Sequence, residues 1–168
     1  MTAIRHATEA DLAAIRDIYN HAVEHTTAIW NEVVVDWENR RQWWRARVEA
    51  GFPVLVALGG ADEGEPVLGY ASYGAFRAFD GYRHTVEHSV YVAESARRRG
   101  VATSLMQALE AEARQAGLHV MLGGIAGDNP GSLALHKRLG FTETGRMPEV
   151  GRKFDRWLDL VFMQKVLA

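Results

Sequence analysis

Between Val101 and Ala116, apolar side chains recur every four residues at Val101, Leu105, Leu109 and Ala113, with Gln107, Glu110 and Arg114 placed elsewhere. That period predicts an amphipathic helix, closed by Gly117. The stripe Leu12, Ile15, Ile18, Tyr19 and Ala22 predicts an earlier helix, opened by a capping-box pair at Thr8 and Asp11. Asp36 caps a second helix running to about Ala50, with Trp37, Trp43 and Trp44 as its bulky residues and Gly51 as its stop. Short runs bounded by turn residues read as strands at Ala3–His6, Val54–Leu58, Val67–Tyr73, Thr85–Val92 and His119–Ile125. Gly59–Pro66, between two of them, reads as a hairpin turn. Gly131–Leu139 is a short helix stopped by Gly140, and Phe141–Arg146 another strand. Arg156–Val166 alternates less cleanly and reads as a buried final strand. The order βααβββαβαββ predicts an α/β (α+β) layer architecture.

A chain of 168 residues fits a single domain over 1–168, and 48% hydrophobic with 24% charged residues describes a globular protein. A net charge of −2 argues against general nucleic-acid binding. The longest apolar run, Phe52–Leu58, is strand-sized, so no membrane span is expected. The first residues lack a signal-peptide apolar core, which makes a soluble, cytoplasmic protein the expectation. Cysteine is absent, removing disulfides, thiolate zinc sites and a cysteine nucleophile. Of the seven histidines, His84 and His88 are four apart, about 13 Å along a strand and too far for one ion. No metal is expected. The lack of a G-x-S-x-G elbow argues against a serine hydrolase.

The segment that carries chemistry runs from Val86-Glu-His-Ser-Val-Tyr-Val92 through Arg97-Arg-Arg-Gly-Val-Ala102 to Thr103. It is a strand, a turn and a helix start. Helix onset leaves N–H groups without intrahelical partners at the positive end of the helix dipole, an arrangement suited to a pyrophosphate. Arg97 to Arg99 add charge, and Gly100 and Ala102 keep the backbone approachable. An ordinary helix start with a solvated basic turn fits the spacing equally well. The Walker and dinucleotide glycine motifs are both missing. Alternation puts Glu87, Ser89 and Tyr91 on one face of the strand, so Glu87 is a candidate base facing a cavity.

Arg97-x-x-Gly100-x-Ala102 after a Val-Tyr-Val strand, with Asn129-Pro-Gly-Ser132 and Leu135-His-Lys-Arg-Leu-Gly-Phe141 downstream, resembles the acetyl-CoA signature of the GCN5-related N-acetyltransferase (GNAT) family. Tyr19-Asn20, Thr26–Trp30, Gly69–Gly74, Thr85–Val92 and Gly151–Phe154 look most similar to its phosphinothricin and methionine sulfoximine N-acetyltransferases. The resemblance covers nearly the whole chain. It implies a GNAT-like single domain with a mixed, mostly antiparallel central sheet and helices on both faces. It implies acetyl-CoA as acetyl donor, with no metal. The backbone of Val90, Tyr91 and Val92 then holds the pantetheine arm, in the manner of β-augmentation. Amides from Arg98, Arg99, Gly100, Val101, Ala102 and Thr103 hold the pyrophosphate, and Asn129 and Ser132 make further cofactor contacts. The family often has glycine where Ala102 stands. A backbone N–H near Val92 is the implied oxyanion donor, and Glu87 and His136 are the implied catalytic residues. His136 stands where many members carry a tyrosine acid. The acceptor pocket is implied to involve Trp30, Tyr73, Arg77, Ala78, Phe79, Glu87, His88 and Ser89, with Arg77 as a carboxylate clamp. A homodimer is implied as well.

The function expected is direct acetyl transfer to the α-amine of a small amino-acid analogue of the methionine sulfoximine, methionine sulfone or phosphinothricin type. A non-catalytic acetyl-CoA sensor would keep the Arg97–Thr103 loop without needing Glu87. A protein or peptide N-acetyltransferase would need an open groove.

Overall fold

The computed structural model describes residues 2–60 and 65–167. In chain order its elements are β1 (Ala3–His6), α1 (Leu12–His25), α2 (Trp37–Glu49), β2 (Val54–Leu58), β3 (Val67–Ala75), β4 (Thr85–Val92), α3 (Val101–Gln115), β5 (Val120–Ala126), α4 (Pro130–Arg138), β6 (Thr142–Lys153) and β7 (Arg156–Val166). The strands form one sheet in the order β1-β2-β3-β4-β5-β7-β6, antiparallel throughout except for the parallel β4–β5 pair. The sheet is mixed and mostly antiparallel with helices around it, the α/β (α+β) layering that the element order predicts and the strand arrangement that the resemblance implies.

Local chemistry sets the helix starts. The Asp11 carboxylate accepts from the Thr8 N–H at 2.7 Å and hydroxyl at 3.0 Å, opening a short 3₁₀ turn that runs into α1. The Asp36 side chain accepts from the Asn39 N–H and starts α2. Alternation then sorts β2: Leu55 and Ala57 join Leu105, Met106 and Leu109 of α3 in one core, while Val54, Val56 and Leu58 join Leu12, Ile15 and Ile18 of α1 in another. Helices therefore cover both faces of the sheet.

Two expectations need correction. The strand expected to end at Arg146 continues to Lys153, because its pairing with β7 survives two register shifts, the second of them around Pro148. Such irregularities erase the two-residue period that marks a strand in sequence. Glu110, expected away from the core stripe of α3, is buried, and Lys165 of β7 reaches across to it at 2.6 Å. The Gly59–Pro66 turn lies partly outside the described residues, at 61–64; its flanks close with the Gly59 N–H donating to the Pro66 carbonyl, and β2 and β3 pair antiparallel as a hairpin requires. Among the described residues, no helix is long and apolar enough to cross a membrane.

One feature of the sheet positions everything below. β4 and β5 pair only over Thr85–Glu87 against Val120–Leu122, and past Glu87 the two strands part.

Candidate active site

The parted strands leave one edge of β4 open. Residues of a strand send their N–H and C=O groups alternately to either side. Ala93 donates to the Leu68 carbonyl, and the Tyr91 carbonyl points at Gly69, so both face β3. Val90 and Val92, between and beside them, turn their backbone groups into the gap. Tyr91 was expected to offer its backbone there as well; the alternation gives that backbone to β3 and leaves its side chain in the cleft wall.

The open edge leads into a cavity of about 670 Å³ lined by β4, the start of α3, the end of β5 and α4. At its far end Arg98 and Gly100 both adopt left-handed backbone, φ 59° and 79°. Among the described residues, no atom lies within 4 Å of the place of a Cβ on Gly100, and its positive φ is one that glycine adopts without strain. The first amide of α3 with an intrahelical partner is Ser104, donating to Gly100, which leaves the Val101, Ala102 and Thr103 N–H groups free of intrahelical bonds. Arg97, Arg98, Gly100, Val101, Ala102 and Thr103 line the cavity; Arg99 does not. Asn129 and Ser132 line it too, with the Asn129 Oδ1 already committed to the Ser132 N–H at 3.0 Å as the α4 cap. An extended chain carrying amides at one end and a pyrophosphate at the other fits these donors and acceptors.

Glu87 stands where the strands part. Its Oε1 lies 3.1 Å from the place a Cβ on Gly124 would occupy, so the carboxylate leans towards β5. Half-burial raises its pKa above the ordinary carboxylate value, and the Arg77 charge pulls it partly back. Ser89 follows on the same face.

His88 points to the other face, where it stacks on His136 with ring centroids 5.0 Å apart and the two Nε2 atoms at 3.1 Å. His136 Nδ1 lies 2.7 Å from the Ser132 carbonyl, which can only accept. The proton therefore sits on Nδ1, His136 Nε2 accepts, and His88 Nε2 donates. His88 Nδ1 is left as a sealed acceptor without a partner. Burial lowers both pKa values, that of His88 to about 3, so the pair is neutral near pH 7.

Two residues expected around the acceptor lie on the face opposite Glu87, and of these His88 still lines the cavity. His88 and Tyr73 are register partners, and paired residues share one face, the one opposite Glu87. Tyr73 is buried edge-on against Phe52 at 5.8 Å and lines a separate groove beside Glu112. Arg77, Ala78 and Phe79 follow β3 on an exposed loop, with the Arg77 guanidinium over the Phe76 ring at 5.1 Å. Trp30 lies against Gly151 of β6 and donates its indole N–H to the Thr27 carbonyl.

Lys153, which the sequence marked only as part of the Gly151–Phe154 segment and gave no role, holds this arrangement. It is 1% exposed, and its ammonium donates to the carbonyls of Val23, Thr26 and Ile29. Three donors meet three acceptors, tying the β6–β7 arm to the end of α1 and to the loop that carries Trp30. Among the described residues, no group of His, Asp or Glu could hold a metal ion.

The acetyltransferase (GNAT) family model matches residues 13–141. The chain is 56% identical over 161 residues to an L-methionine sulfoximine/L-methionine sulfone acetyltransferase of Pseudomonas paraeruginosa, covering 96% of this chain and 92% of that protein. It is 37% identical over 168 residues to a phosphinothricin N-acetyltransferase of Streptomyces coelicolor, covering 98% and 95%. Among solved structures, yncA of Salmonella typhimurium with its cofactor acetyl-CoA superposes with a TM-score of 0.95 at 52% identity, covering 100% of this chain and 95% of that one. A ribosomal-protein-alanine N-acetyltransferase from Brucella melitensis superposes at 0.93 with 55% identity, covering 98% and 99%.

Proposed function

This chain belongs to the acetyltransferase (GNAT) family and is an N-acetyltransferase, and on that premise we propose that it acetylates the α-amine of methionine sulfoximine, methionine sulfone or phosphinothricin. The observation that carries this reading is the open β4 edge, which runs from the free amides of α3 down to a half-buried carboxylate.

Bound acetyl-CoA supplies the acetyl group as a thioester. Val90 and Val92 present backbone partners for its arm, and the amides of Val101, Ala102 and Thr103 with Arg97 and Arg98 suit its phosphates. Glu87 takes a proton from the acceptor ammonium. Its raised pKa brings it nearer the working pH, where a carboxylate is a better base. The Val92 N–H supplies a donor to a carbonyl lying along β4. Arg77 takes the acceptor's α-carboxylate as a planar fork, and Trp30 walls the pocket. Both ring nitrogens of His136 are engaged and the ring is neutral, which favours a fixed wall of the cleft over the acid role expected of it. We include a cytoplasmic homodimer in the proposal; exposed Val150, Phe154 and Trp157 on the β6–β7 arm offer an apolar surface for a second copy.

A second reading, acetylation of a protein amine, rests on the name of the Brucella relative. Thiol release from acetyl-CoA separates the two. We expect the three oxidised or phosphinic amino acids to exceed methionine and glutamate by at least about tenfold in kcat/KM. Faster turnover of a peptide with N-terminal alanine would favour the second reading. Acetyl-CoA binding without release in any acceptor would favour a sensor.

A further inference from the structure

A half-buried cation on the Glu87 face of the sheet has no part in the reading above. Arg47 stands on α2, and its guanidinium occupies the space that a side chain on Gly74 would fill. Gly74 is the register partner of Glu87, so the guanidinium and the carboxylate front the same face of the sheet. They diverge across it. Arg47 lies over β3 and Glu87 leans towards β5, with two strand spacings, roughly 10 Å, between those strands.

Among the described residues the Arg47 side chain makes no hydrogen bond and no ion pair; it packs on Gly74, with its guanidinium carbon 6.0 Å from the Trp43 ring. Burial pushes its pKa down, as it does for a desolvated cation with no anion beside it. Unlike the Arg41 Nε, its nitrogens are not sealed from solvent. A desolvated, accessible, unpaired fork is a poor arrangement for the protein alone and a good one for an oxygen-bearing ligand.

We propose that Arg47 determines acceptor specificity by binding the oxygen-bearing tetrahedral end of the acceptor side chain, a sulfone, sulfoximine or phosphinate, with Gly74 kept bare to leave room for the guanidinium. This rests on the acceptor class proposed above. The division of labour between the two arginines follows from position. The charge of Arg77 acts on Glu87, so Arg77 lies on the side of the amine and of the carboxylate next to it. Arg47, which lies over β3 on the side away from β5, is placed for the far end of the acceptor. A thioether offers its fork nothing, which leaves the cation unpaired and discriminates against plain methionine.

The test compares wild type, Arg47→Gln, Arg47→Lys and Gly74→Ala on methionine sulfone and on its α-carboxamide. Arg47→Gln and Gly74→Ala should raise the sulfone KM by about ten- to a hundredfold. They should leave kcat within about threefold and the acetyl-CoA KM unchanged, a split that a general loss of folding does not produce. Arg47→Lys, which keeps the charge without the planar fork, should fall between. The same factors should appear with the carboxamide. Factors that vanish with the carboxamide would overturn the proposal by assigning Arg47 to the carboxylate. An unchanged sulfone KM in Arg47→Gln would overturn it while wild-type turnover left the acceptor class standing. Wild type inactive on sulfone, sulfoximine and phosphinothricin alike would overturn the acceptor class and this proposal together.

Discussion

Gly123 and Gly124 are neighbours on β5 that face opposite sides of the sheet, and each gives way to a different ionisable group. A Cβ on Gly123 would lie 2.7 Å from His88 Nε2, and one on Gly124 would lie 3.1 Å from Glu87 Oε1. Burial acts on both sides by the same physics, disfavouring the charged form. On the Glu87 face it raises a half-buried carboxylate. On the other face it lowers two histidines that line the cavity, leaving a neutral pair bonded to itself and to a carbonyl. One desolvation therefore shifts the two sides in opposite directions, and whether the charged form is an anion or a cation decides which.

The strongest way to break that comparison is to remove the carboxylate. Glu87→Gln keeps shape and hydrogen bonding, so kcat should fall by roughly 10²–10⁴-fold while acetyl-CoA affinity holds; steady-state kinetics near normal would end the base assignment. Adding a methyl group on each side sharpens it. Gly123→Ala pushes into a ring stacked against its partner and should lower stability by about 1–3 kcal/mol in urea unfolding, with turnover per folded molecule little changed. Gly124→Ala meets the ends of two side chains, the Glu87 carboxylate at 3.1 Å and the Leu160 Cδ1 at 3.3 Å, both of which can give way, so it should largely spare stability and reduce kcat instead. Equal effects of the two on both readouts would mean that the faces do not differ as described.

The next effect is smaller and depends on pH. His88 and His136 have lower pKa values folded than unfolded, so the unfolded chain takes up their protons first. Stability is fully present above the ordinary histidine pKa and should decline as pH falls from about 6.5 towards the folded values. His88→Gln should flatten that decline in melting temperature against pH; an unaltered slope would remove the pair as its source. The smallest effect concerns Arg77. Its charge holds the Glu87 pKa down, so Arg77→Gln should move the acid limb of kcat/KM to higher pH.

Local signals made much of this legible. The fourfold stripe of α3, the caps at Asp11 and Asp36 and the strand before Arg97 were each readable because they depend on neighbours in sequence. Alternation also put Glu87 on a face with Ser89 and Tyr91. The same rule excludes His88, the intervening residue, and with it Tyr73 once the β3–β4 register is known. Register is a long-range property, and its absence hid the face of Tyr73, whereas His88 entered the group through the resemblance and against the local alternation. Lys153 fails for the same reason: its carbonyl partners lie 124 to 130 residues away, where no periodicity reaches. Arg47 reads as one more charge on a solvated helix until Gly74 is seen beneath it.

The central claim is that proton transfer belongs to the Glu87 face and not to the histidine face. The measurement that tests it most directly is the pH profile of kcat for wild type, Glu87→Gln and His136→Gln with methionine sulfone as acceptor. The account predicts that His136→Gln keeps the acid limb and most of the turnover, while Glu87→Gln loses both. A limb that survives in Glu87→Gln and disappears in His136→Gln would contradict it.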